Sequence, residues 1–319
     1  MQSYIARRLL LAIPTLFGVT LLIFLAMRVL PGDPLSAVTG EGGAVFVLNE
    51  EQLKAARASL GLDKPYYAQY LDWIAALARG ELGKSFWKDT PISEILARRA
   101  PITFQVALMA VILSWLIGLP VGVLSAVKYH SGFDVGSRIV VTLFMAVPSF
   151  WLGLMFILLL VSLFSWRPPL DIVYLSEDPA ANLQMTLGPS LTLGIGMGAV
   201  MARITRSSVL EVLHEEYVRT ARAKGLRERA IVWGHVLKNA MLPILTFSGV
   251  IMGQLLAGSV AVERAFSVPG LGLALVSAIY ERDWMVIQNL VLLYGGIYIL
   301  INLVVDISYA LVDPRIRYR

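Results

Sequence analysis

Six stretches of this chain are long and apolar enough to cross a lipid bilayer. A spanning helix needs about 20 apolar residues, because the hydrocarbon core is about 30 Å thick and an α-helix rises 1.5 Å per residue. The stretches are Leu9–Leu30, Ile102–Val127, Ile139–Phe164, Leu183–Ala202, Met241–Val262 and Val286–Leu311, the fourth being short and glycine-rich. Composition agrees. Hydrophobic residues make up 57% of the 319 and charged residues 15%, against roughly 45–50% and about 25% in a soluble domain. Too few polar groups are left to cover a water-soluble surface. The sequence therefore predicts an all-α integral membrane protein of about six transmembrane helices, with a small helical extracytoplasmic domain between the first two.

Arg7 and Arg8 precede the first stretch in the manner of a signal peptide. Its apolar run exceeds the roughly 7–15 residues of a signal core and no small-x-small cleavage site follows, so it reads as an uncleaved anchor. Basic residues in short loops set the orientation, since long domains translocate regardless of charge. With the N-terminus inside, the inner segments 1–8, 128–138, 203–240 and 312–319 hold 2, 2, 8 and 3 Lys or Arg. The short outer segments 165–182 and 263–285 hold 1 and 2. Both termini are thus expected in the cytoplasm. The net charge of +5 belongs to these loops and not to a nucleic-acid surface. The chain divides into an N-terminus with the first span (1–30), the outer domain (31–100), a five-helix core with the cytoplasmic loop 203–240 (101–311), and a cytoplasmic tail (312–319). In the outer domain, Glu50–Leu60 and Tyr66–Arg79 are patterned as short helices, with Gly61 closing the first and Pro65 opening the second.

Several chemistries are excluded. Cysteine is absent, and there is no G-x-x-x-x-G-K-[ST] phosphate loop, H-E-x-x-H pair or G-x-S-x-G elbow. His130, His214 and His235 all fall in inner segments and form no metal-ligand spacing. Charges within the spans are scarce. Asp306, one helical turn beyond Asn302, lies near the inner end of the last span, where pairing with an Arg explains it better than proton coupling. Arg28 is one turn from the outer surface and is placed to snorkel. A transporter energised by another subunit fits these absences. An ion-coupled secondary transporter, a membrane-embedded enzyme and a membrane scaffold remain as competing classes.

The segment 203–240 carries the most information. Val209–Lys224 lacks Gly and Pro and is predicted to be one helix with Leu210, Leu213, Tyr217 and Ala221 near one face. Gly225 then reads as a helix stop, with Leu226 packing back on the helix. A second helix, Arg227–Ala240, runs to Pro243 in the first turn of the fifth span. Thr220, Ala221 and Ala223 lie at the bend, where small side chains admit close approach of another backbone. The residues by themselves fit two arrangements, docking to a partner protein or resting on anionic lipid.

The run Tyr217-Val218-Arg219-Thr220-Ala221-Arg222-Ala223-Lys224-Gly225, with His235, Asn239, Ala240, Leu242 and Pro243, resembles the EAA loop of bacterial ABC-importer permeases in its dipeptide/oligopeptide/nickel form. Further motifs of that branch occur in order along nearly the whole chain. They include Leu30-Pro31-Gly32-Asp33-Pro34, Gly80-Glu81-Leu82-Gly83-Lys84-Ser85, Pro101-Ile102-Thr103, Val147-Pro148-Ser149-Phe150-Trp151, Val262-Glu263, Pro269-Gly270-Leu271-Gly272 and Asp313-Pro314-Arg315. The chain is most similar to the first, B-type permease of the pair. It departs from the pattern in having Arg219-Thr220-Ala221 for Glu-Ala-Ala, and Trp284-Met285 after Arg282-Asp283 where Tyr-Pro is usual.

The resemblance implies a transport subunit that is not itself an enzyme and binds no cofactor or metal. It implies a second permease subunit, two ATPase subunits that use ATP and Mg, an extracytoplasmic binding protein and a di- or oligopeptide substrate. Nickel chelates, glutathione and oligosaccharides are other cargoes of the branch. Residues 217–225 would dock the ATPases, supported by His235, Asn239 and Pro243. Glu263, Phe266, Pro269 and Gly270 would form an outer gate or docking element. Glycine pairs Gly118/Gly122, Gly194/Gly198 and Gly249/Gly253 suit close helix packing.

Overall fold

The computed structural model describes residues 2–29, 35, 51, 54, 57–58, 61–167, 169 and 171–312. The described residues are almost entirely helical, without a β-strand. In chain order the helices are α1 Gln2–Val29, α2 Tyr66–Ala78, α3 Ile92–Val127, α4 Gly132–Ala146, α5 Ser149–Phe164, α6 Pro179–Leu213, α7 Glu216–Ala223, α8 Glu228–Ile231, α9 Leu237–Phe266, α10 Leu271–Glu281 and α11 Trp284–Val312. A π-turn, Val232–Val236, joins α8 to α9. Five helices are long and apolar enough to cross a membrane, or up to seven spans if each of two bent pairs counts as one.

The centre of the molecule is the pair α3 and α6, which approach closely because glycines face backbone. A Cβ on Gly118 would stand 2.5 Å from Met201 Cβ and 2.9 Å from the Gly198 carbonyl, and one on Gly122 would stand 2.6 Å from the Ala202 carbonyl. Gly194 meets Leu113 in the same way. Larger residues would force the two helices apart and lose the contacts between them. Polar side chains inside this pair are matched to one another. Gln105 and Asn182 exchange amide hydrogen bonds of 2.5 and 3.2 Å, and Asn182 also donates to the Val173 carbonyl at 2.8 Å. Hydrophobic residues of α3, α6, α7, α9 and the π-turn then form one continuous core.

Three expectations are corrected. The third stretch, Ile139–Phe164, is not one continuous helix: α4 and α5 meet at 100°. Val147 is extended and Pro148 begins α5 from outside it, because the residue before a proline is pushed out of the helical region. The helix expected over Val209–Lys224 is broken at His214 and Glu215, where Glu215 is extended. The fifth span begins upstream of its expected start. Pro243 consequently lies in the second turn of α9 and not in its first.

At the other end of the bundle α2 lies along α1. Gly61 takes φ +66°, and Leu62 N–H donates to the Arg57 carbonyl at 2.9 Å, closing the helical turn before it. Pro65 stands at the start of α2. Tyr70 shares a 3.0 Å hydrogen bond with Thr20, and its ring meets Phe24 edge-on. The Arg28 guanidinium covers the Phe24 ring and reaches into α2, donating to Gln69 at 2.8 Å. The motif Leu30–Pro34, the tail from Asp313 and the Asp306 side chain lie outside the described residues.

Candidate functional site

Helix α7 is held by two side chains one turn apart. Val218 is wholly buried and Ala221 nearly so, both in the central core beside Val209, Ile231, Val232, Val236 and Ala240. Burial of Val218 supplies the reason for the break at Glu215: a continuation of α6 would carry this face away from the core. His214 caps the end of α6 by placing Nδ1 2.7 Å from the Leu210 carbonyl. Tyr217, expected on the packed face, is 40% exposed. It instead receives a 2.7 Å hydrogen bond from Asn239, which also donates to the His235 carbonyl at 3.0 Å. Asn239 thus ties α7 to the turn containing His235, whose own side chain is exposed, as is Pro243.

The opposite face of α7 is open. Arg219, Thr220, Arg222, Ala223, Lys224 and Gly225 are all exposed. Gly225 has φ +77°, its N–H donates to the Arg222 carbonyl at 2.9 Å, and Leu226 N–H donates to the Ala221 carbonyl at 3.3 Å. That is the paired closure of a Schellman motif, for which glycine is the residue without steric penalty. Leu226, expected to pack back on the helix, is 42% exposed. Two of the three cations are neutralised within the loop: Arg219 pairs with Glu216 at 2.9 Å and Arg222 with Glu228 at 2.6 Å.

Glu263, Phe266, Pro269 and Gly270 are brought together around the sharp turn between α9 and α10, and all four are buried. Ser267 takes φ +56° and ends α9, with Val268 N–H donating to the Glu263 carbonyl at 2.9 Å. The Glu263 carboxylate accepts from Gly272 N–H at 2.7 Å, and Thr103 Oγ1 accepts from Leu271 N–H at 2.8 Å. Both bonds satisfy free N–H groups in the first turn of α10. Any side chain at Gly270 would collide with Glu263 and Thr103. Phe266 projects between two glycines: a Cβ on Gly188 would lie 2.6 Å from its ring and one on Gly153 2.9 Å.

The far end of α10 is clamped by a loop that sequence reasoning did not single out residue by residue. Asp283 accepts from the Ser85 hydroxyl and from Phe86 N–H at 3.0 Å. Trp87 donates to the Glu281 carbonyl at 2.7 Å, and Lys88 reaches both Glu281 oxygens at 2.9 Å. Gly80-Glu81-Leu82-Gly83-Lys84-Ser85 was legible as a motif, but nothing local signals its partner almost two hundred residues away.

Helices at membrane-spanning length, two sharply bent helix pairs and a short exposed helix within a long loop characterise the membrane component of a transport system. The chain belongs to the family of binding-protein-dependent transport system inner membrane components, whose model matches residues 118–318; the corresponding N-terminal family matches residues 1–107. It is a multi-pass ABC-importer permease of the bacterial inner membrane, a transport subunit and not an enzyme. It is 42% identical to the di/tripeptide transport system permease protein DppB of Pseudomonas aeruginosa, with all of both chains covered. It is 39% identical to the dipeptide transport system permease protein DppB of Escherichia coli, again over all of both chains. In fold it resembles the inward-facing MetNI methionine ABC transporter, with a TM-score of 0.57 at 20% identity over 69% of this chain and 96% of that one.

Proposed function

We propose that this permease moves di- or oligopeptides delivered by an extracytoplasmic binding protein, and that ATPase subunits drive it through α7. A second permease completes the pore, and two ATPase subunits supply ATP and Mg chemistry from the cytoplasmic side, where both termini lie. The observation that carries this reading is the construction of α7. Val218 and Ala221 fasten it to the ends of the spanning helices, while Thr220, Ala223 and the Gly225 stop leave a small-residue face open for a partner backbone. A push on that face therefore reaches α6 and α9 through buried contacts. Neutralisation of Arg219 and Arg222 inside the loop lowers its attraction to anionic lipid and favours protein docking over resting on the membrane. The relatives' names supply the peptide cargo. Glu263, Phe266, Pro269 and Gly270 fix α10 on the side from which the loaded binding protein arrives, and alternating access follows from contacts that differ between two states.

The test uses the absence of cysteine. An Ala223→Cys variant has one thiol, so a crosslink formed in native membranes has one origin. Capture of a nucleotide-binding subunit, with a yield altered by ATP, supports the reading. Crosslinks to lipid alone would remove α7 from the drive train.

A further inference from the structure

A cavity of about 350 Å³, apolar over much of its wall but carrying three arginines, opens between α3, α4 and α6, away from α7 and from the turn around Glu263. Its lining includes Arg138, Arg203 and Arg206 together with Ser125, Ser137 and Ser207. Arg206 is already committed to Asp134 through bonds of 2.7 and 2.8 Å. Ser125 also donates to Asp134 at 2.6 Å, and the Ser137 hydroxyl is turned toward Ser125 and the Asp134 carbonyl. The one carboxylate in the cluster is therefore saturated. Arg138, Arg203 and Ser207 are exposed and meet no acidic group among the described residues. Three guanidinium groups against one carboxylate leave two positive charges lining the cavity.

Two further observations say what would neutralise them. Arg203 immediately follows the apolar stretch that ends at Ala202 and so stands near the depth of lipid headgroups, and Arg138, in the second turn of α4, lines the same cavity beside it. The cavity also shares Arg138 and Thr142 with an apolar groove of about 520 Å³ along α4, lined by Val135, Ile139, Leu143 and Ala146. A cationic, hydroxyl-rich pocket that continues into an apolar groove matches one molecule's two halves. We infer that this is a binding site for an anionic phospholipid, with the phosphate between Arg138 and Arg203 and an acyl chain along α4. The uncommitted Ser207 hydroxyl and the guanidinium donors of Arg138 and Arg203 suit phosphate oxygens, and a zwitterionic lipid lacks the net charge that the pair of free arginines requires. The lipid would hold the α4 arm against the α3/α6 pair. The inference rests on the cytoplasmic placement of this end given above, where anionic lipid attracts basic groups.

The full chain, stripped of lipid in detergent, is titrated with phosphatidylglycerol, phosphatidylcholine or inorganic phosphate and bound species are counted by native mass spectrometry. Phosphatidylglycerol is expected to bind in preference to phosphatidylcholine. Its affinity should fall about fivefold for each of Arg138→Gln and Arg203→Gln, while Arg138→Lys with Arg203→Lys keeps most of it. Equal retention of the two lipids, or no change in the double glutamine variant, overturns the site. So does displacement of the lipid by inorganic phosphate, which would mark a free-phosphate site. Loss of lipid binding when the second permease is co-purified would make this face a subunit interface and also overturn it. None of these outcomes depends on ATPase docking, so failure here leaves the α7 crosslink result standing.

Discussion

Asp283 and Ser85, separated by 198 positions, share a hydrogen bond of 2.5 Å that fastens the loop before α3 to the hinge between α10 and α11. The carboxylate acts in two directions. One oxygen holds Ser85 and Phe86, and the other accepts from Val286 N–H at 3.3 Å as the N-cap of α11. Asp283→Ala should therefore cost about 2–4 kcal/mol, combining a lost cap with buried donors left unpaired. Asp283→Asn, which keeps an acceptor oxygen, should cost less. Thermal melting of the detergent-solubilised protein measures both, and equal melting of parent and alanine variant would show that the clamp contributes nothing.

The seat of Phe266 predicts a directional steric effect. Gly188→Ala places a methyl against a ring that Gly153 prevents from swinging away. Overpacking of this kind costs about 1–3 kcal/mol. Adding Phe266→Leu should return part of that loss, since residues in contact are not additive. A double variant no more stable than Gly188→Ala alone would mean that the clash lies elsewhere.

Asp134 and Arg206 are a buried pair, 1% and 19% exposed. Removing only the acid leaves an uncompensated guanidinium, so Asp134→Ala should destabilise by about 3–5 kcal/mol. Replacing both, as Asp134→Leu with Arg206→Met, should recover most of it because the desolvation of two charges disappears as well. A chemical denaturation series on the parent, Asp134→Leu, Arg206→Met and the double variant gives the coupling directly.

Substitution at Gly225 tests coupling apart from folding. A Cβ there meets nothing within 4 Å, so Gly225→Leu creates no clash; its cost is the left-handed backbone, about 1–2 kcal/mol. The loop should re-aim while the protein remains in the membrane in normal amount. Uptake of a labelled dipeptide is expected to drop severalfold at unchanged protein level, and undiminished uptake would detach α7 from coupling.

Sequence reasoning reached the features that local chemistry dictates. The spans announce themselves by apolar length, and Gly225 and Gly61 by their positions after helical runs. It reached less where distant packing decides. Nothing in His214-Glu215 forbids a helix, and the break there exists because Val218 must be buried against residues from α6 and the π-turn. The partners of Arg28, Gln69 and the Phe24 ring, could not be read from its place near the end of the first span. The partners of Asp283 and Asp134 come from other helices and loops, so only the assembled fold could reveal them. The four residues Glu263, Phe266, Pro269 and Gly270 were recognised as a set, but the part played by Thr103 and Gly188 in holding them was not.

The right-angled junction at Val147–Pro148 has a consequence for the membrane itself. Helix α5 has 16 residues, a length of about 24 Å, whereas the hydrocarbon core is about 30 Å thick. Helices α4 and α5 are long enough for a span only as a pair, and the 100° bend between them keeps α4 from extending α5 along its own axis. A bilayer that wets this flank must therefore pinch inward beside it, or a neighbouring protein must shield the shortfall. The protein's perimeter is consequently uneven in thickness, and membranes of different acyl length will not accommodate it equally.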